Sequence, residues 1–445
     1  MKKIFIILLT CVIPGLTGNL AQAQPAGRIW TLQDCIGHAL DHNITVQQRE
    51  LQVLQREIDV NTARNSRLPG VSAGSSQNFS FGRGLTEDNT YAHTNTTNTS
   101  FTLGADMTLF NGFRIRNNIL LDELNLKAAT ADLEKARDDI RVAVAQAYVQ
   151  ILYQREIAEV AIRQVAIDSL QVERLEMLQA NGKATAADVA AQRASLAQSH
   201  LTAVQAENQL QLARLELAQL LELPSPEGFD VAAPAGDALA IPLPAGPEII
   251  FEEAVGVKPA VQAEETRLAW AEKNIDLARG GYLPSLSLSG GLGTNYYTSS
   301  GYASKRFFDQ LSNNFSQYVG LSLNIPVFSR LATRNQVRSA RVNYDLQQLQ
   351  LENVKKQLYK EIQQAWYNAL TARSKFESST KAAEAAAESF ALMQAKYENG
   401  KASVTEFNES KNQYLKACSD LAQARYEHLY QTRLLDFYRG RSLSL

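Results

Sequence analysis

Two long stretches of the chain, residues 112–181 and 330–398, contain no proline and, apart from Gly112, no glycine. Because these two residue types are the strongest helix breakers, each stretch is predicted to form one uninterrupted helix. At 1.5 Å per residue such a helix would be about 105 Å long, far more than an ordinary globular core accommodates. The sequence therefore predicts an elongated, mainly α protein.

Shorter helices accompany each long one. An Asn-Gly-Lys turn follows each long stretch and leads into a predicted helix, at 184–222 in the first half and at 402–440 in the second. The first of these carries an apolar seam with a seven-residue period, including Val189, Leu210 and Leu217, which indicates coiled-coil-like packing. Each half also begins with a helix, so two short helices placed end to end match the long one in an antiparallel bundle.

The two halves of the chain repeat each other. The segment 181–185, Asn-Gly-Lys-Ala-Thr, returns as 399–403, Asn-Gly-Lys-Ala-Ser. Gln-Ala-Tyr at 146–148 returns as Gln-Ala-Trp at 364–366, and both pairs have an offset of 218. A period of this length is too long for a solenoid unit, so it indicates a duplicated, domain-sized module.

The repeats are assigned to residues 24–223 and 248–445, and the connector between them to 224–247. The connector holds six of the chain's 12 prolines, a density that excludes a continuing helix. Residues 1–23 have two lysines, an apolar run and an Ala-Gln-Ala cleavage pattern, which together predict a secretory signal peptide. Lipidation of Cys11 remains an alternative, although the preceding Leu-Thr lacks the small residue usual at the last position.

Charge and cysteine content narrow the classes of function. The chain has 44 Lys and Arg against 46 Asp and Glu, and removal of the signal peptide takes the net charge from −2 to −4. Since there is no basic excess, no nucleic-acid partner is expected. Cys35 and Cys418 then remain, far apart, so a disulfide scaffold is not expected. No apolar stretch after the N-terminus reaches the roughly 18 residues of a spanning helix.

Alternating segments with little charge lie between the helices of each half. The predicted strands form one pair per half and cover residues 70–82 and 99–110, then 285–297 and 316–328. Apart from Asp106, none of them contains Asp, Glu, Lys or Arg. Alternation alone would favour a half-buried soluble sheet, but the missing charges favour transmembrane barrel strands with an apolar outside and a polar inside. Asp106 has the parity of the polar face and is assigned to the barrel lumen.

Four strands cannot close a barrel, because about eight are the practical minimum. An open sheet edge is not tolerated in lipid. The chain is therefore predicted to form a homotrimer, whose 12 strands give the smallest barrel expected to leave a lumen.

The duplicated turn carries a resemblance. Gly182-Lys183-Ala184-Thr185-x-x-Asp188 and Gly400-Lys401-Ala402-Ser403-x-x-Glu406, together with the order of elements, resemble the TolC family of outer-membrane efflux proteins. The resemblance implies a 12-stranded barrel in the outer membrane of a Gram-negative bacterium, surrounded by lipid, and a helical tunnel through the periplasm. It also implies a passive exit duct of a tripartite efflux or type I secretion system, served by a periplasmic adaptor and an inner-membrane pump. The connector would belong to an equatorial region around the tunnel.

The resemblance also implies roles for residues at the tip of the tunnel. Residues expected to dock the adaptor are Gly182, Lys183, Thr185, Gly400, Lys401 and Ser403, of which the glycines permit a positive φ and Thr185 and Ser403 cap the outgoing helices. Residues expected to constrict and gate the entrance are Asp188, Tyr397, Glu406 and Glu409. Ala402 stands where the best-known member of the family has an arginine that helps to latch the helices, so the latch must be weaker or built differently.

No constellation points to catalysis. Cys35, His38 and His42 share a helical face, but a packed thiol is favoured over a metal site. We therefore expect no enzyme activity, no cofactor and no metal. A soluble periplasmic coiled-coil interaction protein is the alternative function. The sequence leaves open the exported substrate, the adaptor and pump, and whether export is driven by protons or ATP.

Overall fold

The computed structural model describes residues 29–85, 89–225, 228–234, 246–300 and 303–443. The predicted signal peptide, Cys11 and much of the 224–247 connector lie outside these ranges. The described part is mostly helical with a small β part, which confirms the prediction of a mainly α fold with a small sheet. Within it, no helix combines the length and the apolarity needed to cross a membrane.

The secondary structure follows the order expected for two repeats. The elements up to the connector are β1 (Ile29–Trp30), α1 (Leu32–His42), α2 (Ile44–Asn65), β2 (Gly70–Leu85), β3 (Tyr91–Asn111), α3 (Arg114–Ala180) and α4 (Ala186–Leu220). Those that follow are β4 (Asp230–Val231), α5 (Pro247–Val257), α6 (Pro259–Arg279), β5 (Ser285–Ser299), α7 (Phe307–Asn313), β6 (Ser316–Asn324), α8 (Ala332–Glu398) and α9 (Val404–Tyr438). The long helices α3 and α8 have 67 residues each, or about 100 Å.

Some predicted elements have different bounds in the structure. The single helix expected at the start of each half is two helices, because the backbone turns to an extended conformation at Asn43 and again at Lys258. Asn43 caps α2 by accepting a hydrogen bond from the N–H of Thr45 at 2.9 Å, and Pro259 begins α6. Strand β6 ends at Asn324 instead of residue 328, since Pro326 cannot donate a ladder hydrogen bond. The hairpin β2–β3 is longer than predicted.

The four strands of the larger described sheet are antiparallel and lie in the order β2-β3-β5-β6. Paired residues across the strands place apolar side chains on one face, in rows such as Val71, Ala105, Gly290 and Val319. The opposite face is mainly small and polar, in rows such as Gly70, Asp106, Ser289 and Gly320. The sheet thus has the two unlike faces that the alternation predicted.

The helices form a long bundle in which α3 runs through the centre. It packs along α4, α6 and α9, while α8 packs along α6 and α9. Helices α1 and α2 lie end to end along α3 and pack against it, and α5 and α6 lie along α8 in the same way. At the end of the bundle that carries the two hairpin turns, the two halves are therefore connected mainly by the packing of α3 against α9.

The helices meet the sheet through two similar turns. Gly112 and Phe113 have positive φ before α3, and Arg330 and Leu331 have positive φ before α8. At Gly112 a side chain has no room, since an added Cβ would lie 2.2 Å from a backbone carbonyl oxygen of the 3₁₀ turn at Gly280. This position therefore requires glycine for both its conformation and its close contact.

Candidate functional site at the helical tip

Both hairpin turns at the end of the bundle use the same backbone bonds. Gly182 and Gly400 have φ of 67° and 70°. In the first turn the N–H of Lys183 donates to the carbonyl of Leu178 at 2.8 Å, and the N–H of Lys401 makes the matching bond at 2.9 Å. This hydrogen-bond pattern ends a helix with one residue in the left-handed conformation, and glycine occupies that position because it adopts a positive φ without strain. Lys183 and Lys401 are exposed beyond it.

The outgoing helices begin with matched capping boxes. The Thr185 hydroxyl accepts from the N–H of Asp188 at 3.1 Å, and the Asp188 carboxylate accepts from the N–H and hydroxyl of Thr185 at 3.0 and 2.6 Å. Ser403 and Glu406 repeat the arrangement, with the carboxylate accepting at 2.7 and 2.8 Å. Two of the candidate gating carboxylates therefore also fix the start of α4 and α9.

These hydrogen bonds act on the charge of the two carboxylates. The hydroxyl and the N–H of Thr185 lower the pKa of Asp188 below its ordinary value. The N–H and the hydroxyl of Ser403 do the same to the pKa of Glu406. Because bonded donors favour the charged form, each repeat holds one ionised carboxylate beside its turn at neutral pH.

The structure places the four candidate gating residues in three different surroundings. Asp188 and Glu409 line one groove of about 630 Å³ between α4 and α9, together with Lys416. Glu406 is exposed and bonded to Ser403 and does not line this groove. Tyr397 lies apart from it in the apolar interior of the tip. Asp106 lies far along the chain on the polar face of the sheet, where it is exposed.

Aromatic side chains form the core of the tip. The ring of Tyr397 stacks on Phe407 with the ring centroids 4.8 Å apart, and Phe390 packs on Phe407 at 5.6 Å. Phe407 is 1% exposed. Burial raises the pKa of the Tyr397 hydroxyl. This core joins the end of α8 to the start of α9.

An arginine of the other half contacts this core. The guanidinium of Arg174, on α3, lies 4.9 Å from the Tyr397 ring centroid. Its Nη2 donates to the carbonyl oxygens of Glu398 at 2.7 Å and Tyr397 at 3.3 Å. A cation at the last carbonyls of α8 is favoured by the helix dipole. Arg174 thus bridges the halves at the tip, although the position expected to latch, 402, carries alanine.

The sequence did not single out Arg174. It lies on a long polar helix with several other arginines, and no local pattern separates it from them. Only the packing of α3 against the end of α8 brings it to Tyr397.

The Cys35 group considered as metal ligands is packed instead. The Cys35 side chain is buried, and burial raises the pKa of its thiol to about 12. The rings of His38 and His42 stack with centroids 4.1 Å apart. In the part of the chain that the structure describes, no three His, Cys, Asp or Glu side chains are grouped to hold a metal ion.

The described residues thus form a duplicated bundle with two long helices, hairpin turns at one end and a two-faced sheet at the other. The model of the outer membrane efflux protein family matches residues 35–222 and 251–440, and the chain belongs to this family. Its function is therefore that of an efflux channel of the Gram-negative outer membrane that extends into the periplasm, as predicted. The soluble coiled-coil alternative is not favoured.

Individual relatives are distant in sequence. The chain is 29% identical to Protein CyaE of Bordetella pertussis, over 97% of this chain and 88% of that protein. It is 22% identical to outer membrane efflux protein BepC of Brucella suis, over 81% of this chain and 73% of that protein. A crystal structure of a membrane protein from Pseudomonas aeruginosa has the same fold, with a TM-score of 0.77 at 19% identity over 92% of this chain and 93% of that chain.

Proposed function

We propose that the protein is the trimeric exit duct of a tripartite export system. Three copies supply four strands each to a 12-stranded barrel in the outer-membrane lipid, and their helices enclose a tunnel in the periplasm. A periplasmic adaptor docks at the tip, and an inner-membrane pump supplies the energy. The duct itself conducts passively and performs no chemical step.

The sheet is the observation that carries this proposal. Among the described strands, β2 and β6 each have one neighbour, so the outer edge of each is unpaired. An unpaired edge must be satisfied in a membrane, and pairing β6 of one copy with β2 of the next does so while closing the barrel. The apolar face then meets lipid, and Asp106 on the polar face lines the lumen.

The tip has two roles in this proposal. The exposed turns with Lys183 and Lys401 would contact the adaptor, supported by Gly182, Gly400 and the two capping residues. The carboxylates of Asp188, Glu406 and Glu409 would ring the entrance and favour cations once threefold symmetry gathers them. Tyr397 would hold the entrance helices together through its contact with Arg174.

The domain assignment extends the same scheme. We assign residues 24–223 and 248–445 to the two repeats that build the tunnel and the barrel. Residues 224–247 form the equatorial connector. In its described part β4 pairs with β1, and the Tyr148 hydroxyl of α3 donates to the carbonyl of Ala232 at 2.6 Å. These contacts support a position at the waist of the bundle.

Detergent extraction and planar-bilayer recording test the proposed function. The purified protein should require detergent, sediment as a trimer and conduct ions with cation preference. Glu406→Ala combined with Glu409→Ala should change the conductance or the cation preference, whereas Lys375→Ala, on an exposed part of α8, serves as the matched control. A monomer that stays soluble without detergent would overturn the proposal.

A further inference from the structure

A buried ion pair joins the two halves of the chain above the tip. The carboxylate of Asp168, on α3, contacts the ammonium of Lys411, on α9. The residues are 0% and 1% exposed. Ionised groups are almost never buried so completely unless they are paired. Every other ion pair of the described residues keeps some exposure, including the largely buried pair of Lys258 and Asp138, whose side chains are 10% and 18% exposed.

Helix α4 completes the surroundings of the pair. Gln192 donates its Nε2 to Asp168 Oδ1 at 3.1 Å, and the Ser199 hydroxyl donates to Asp168 Oδ2. Gln164 in turn donates to the Ser199 hydroxyl at 3.1 Å. Asp168 thus receives three donors from α4 and α9, and its position depends on both helices.

Stability alone does not explain the cluster. A well-packed apolar group is often as stabilising as a buried ion pair, because the charges must be desolvated. The amide oxygens of Gln171 and Asn408, each within one helical turn of the pair, accept no hydrogen bond within the described residues. A buried polar contact of this kind specifies which residues face each other, and here it fixes both the rotation of α9 and its register along α3.

The pair lies where α9 must be held to position the candidate gate. Lys411 is two residues after Glu409, which lines the groove with Asp188. Because α9 is one continuous helix from Val404 to Tyr438, a shift at Lys411 also moves Glu409. Toward the tip the halves are joined mainly through α3 and α9, so separation of the halves must stretch this pair.

We propose that Asp168 and Lys411 are positioning residues that lock α9 against α3 and α4 and thereby set the width of the tunnel entrance. This rests on the proposed channel function. Widening of the entrance requires the pair to break, so a tip without the pair is wider at rest.

The test replaces the charges without leaving a cavity or an unpaired charge. Asp168→Leu with Lys411→Met removes the lock but keeps apolar packing, and Asp168→Lys with Lys411→Asp restores a pair of opposite orientation. The matched control is Lys375→Met with Glu427→Leu, which removes the exposed pair between α8 and α9, whose atoms are 3.4 Å apart. Single-channel conductance, the melting temperature of the trimer and hydrogen exchange at 404–415 are measured for each.

The apolar double variant leaves the buried Gln192 amide without its acceptor on Asp168, so it should melt slightly below wild type. It should still form the trimer, conduct several-fold more current and exchange faster at 404–415. The reversed pair should bring both values back toward wild type, and the control should change neither. Unchanged conductance and exchange in the apolar double variant would refute the proposal that Asp168 and Lys411 hold α9 against α3 and α4. If wild type itself conducts nothing, the channel function fails, while the exchange comparison still decides whether the pair holds α9.

Discussion

Removal of the Arg174 side chain is expected to loosen the last turn of α8. Its guanidinium makes two charge-assisted hydrogen bonds to the carbonyls of Glu398 and Tyr397, and it also lies over the Tyr397 ring. A hydrogen bond from a charged group contributes about 1.5–3 kcal/mol when buried, and a cation–π contact about 0.5–1 kcal/mol at an exposed site. Since Arg174 is only partly buried and its bond to the Tyr397 carbonyl is long at 3.3 Å, we expect a total of about 2 kcal/mol, below the sum of these values.

Hydrogen exchange reports this loss at the amides that close the turn. The N–H groups of Gly400 and Lys401 donate to carbonyls of α8 at 3.0 and 2.9 Å. A loss of about 2 kcal/mol in local opening energy makes exchange roughly 30-fold faster, since 1.4 kcal/mol is tenfold. Arg174→Ala should show this acceleration, and Arg174→Lys should show part of it, because lysine keeps the charge but lacks the planar donors.

Arg373→Ala is the control for the loss of one arginine. Arg373 bonds the exposed Glu377 one turn away on α8 at 2.9 Å, a contact worth about 0.5 kcal/mol or less. Exchange at the turn should not change in this variant. If Arg174→Ala leaves the exchange at Gly400 and Lys401 at the wild-type rate, Arg174 does not bridge the two halves in solution.

Three further predictions follow from the geometry of single residues. Gly112→Ala places a methyl group 2.2 Å from a backbone carbonyl at positive φ, so the yield of folded protein should fall sharply, whereas Gly37→Ala, with nothing within 4 Å, should leave it unchanged. The lowered pKa values of Asp188 and Glu406 mean that their caps stabilise the turns fully above the ordinary values of 3.8 and 4.5 and lose that effect as the pH falls through the lower folded values. The protection of the turn amides, taken relative to their intrinsic exchange rate at each pH, should fall on acidification and stay constant between pH 5 and 8. In a variant without Cys418, the Cys35 thiol, with its pKa raised to about 12, should resist maleimide in the folded protein at neutral pH and react only after unfolding. Rapid labelling of this variant in its native state would contradict the packing of Cys35.

Patterns along the chain were sufficient for the long elements. The absence of helix breakers predicted α3 and α8, and alternation without charge predicted the strands, because both signals act over neighbouring residues. The hydroxyl side chains just after each turn also predicted the helix caps at Thr185 and Ser403. The breaks at Asn43 and Lys258 were missed, although Pro259 marked the second of them.

Contacts between distant positions were not predictable in this way. Arg174 reaches Tyr397 across 223 positions of the chain, and Asp168 reaches Lys411 across 243. Each of these residues is ordinary in its own helix, so only the packing of the two halves distinguishes it. The same packing separated Tyr397 from the groove that holds Asp188 and Glu409, which sequence position alone placed together.

Cysteine crosslinking between the unpaired edges tests the trimeric barrel most directly. In a background without Cys35 and Cys418, pairs of cysteines are scanned along the polar faces of β2 and β6 in membranes, and the products are sized under denaturing conditions. The account predicts that registered pairs link neighbouring copies into dimers and trimers, and that the ladder stops at three. Absence of any crosslink along both strands, or a ladder that continues beyond three copies, would contradict it.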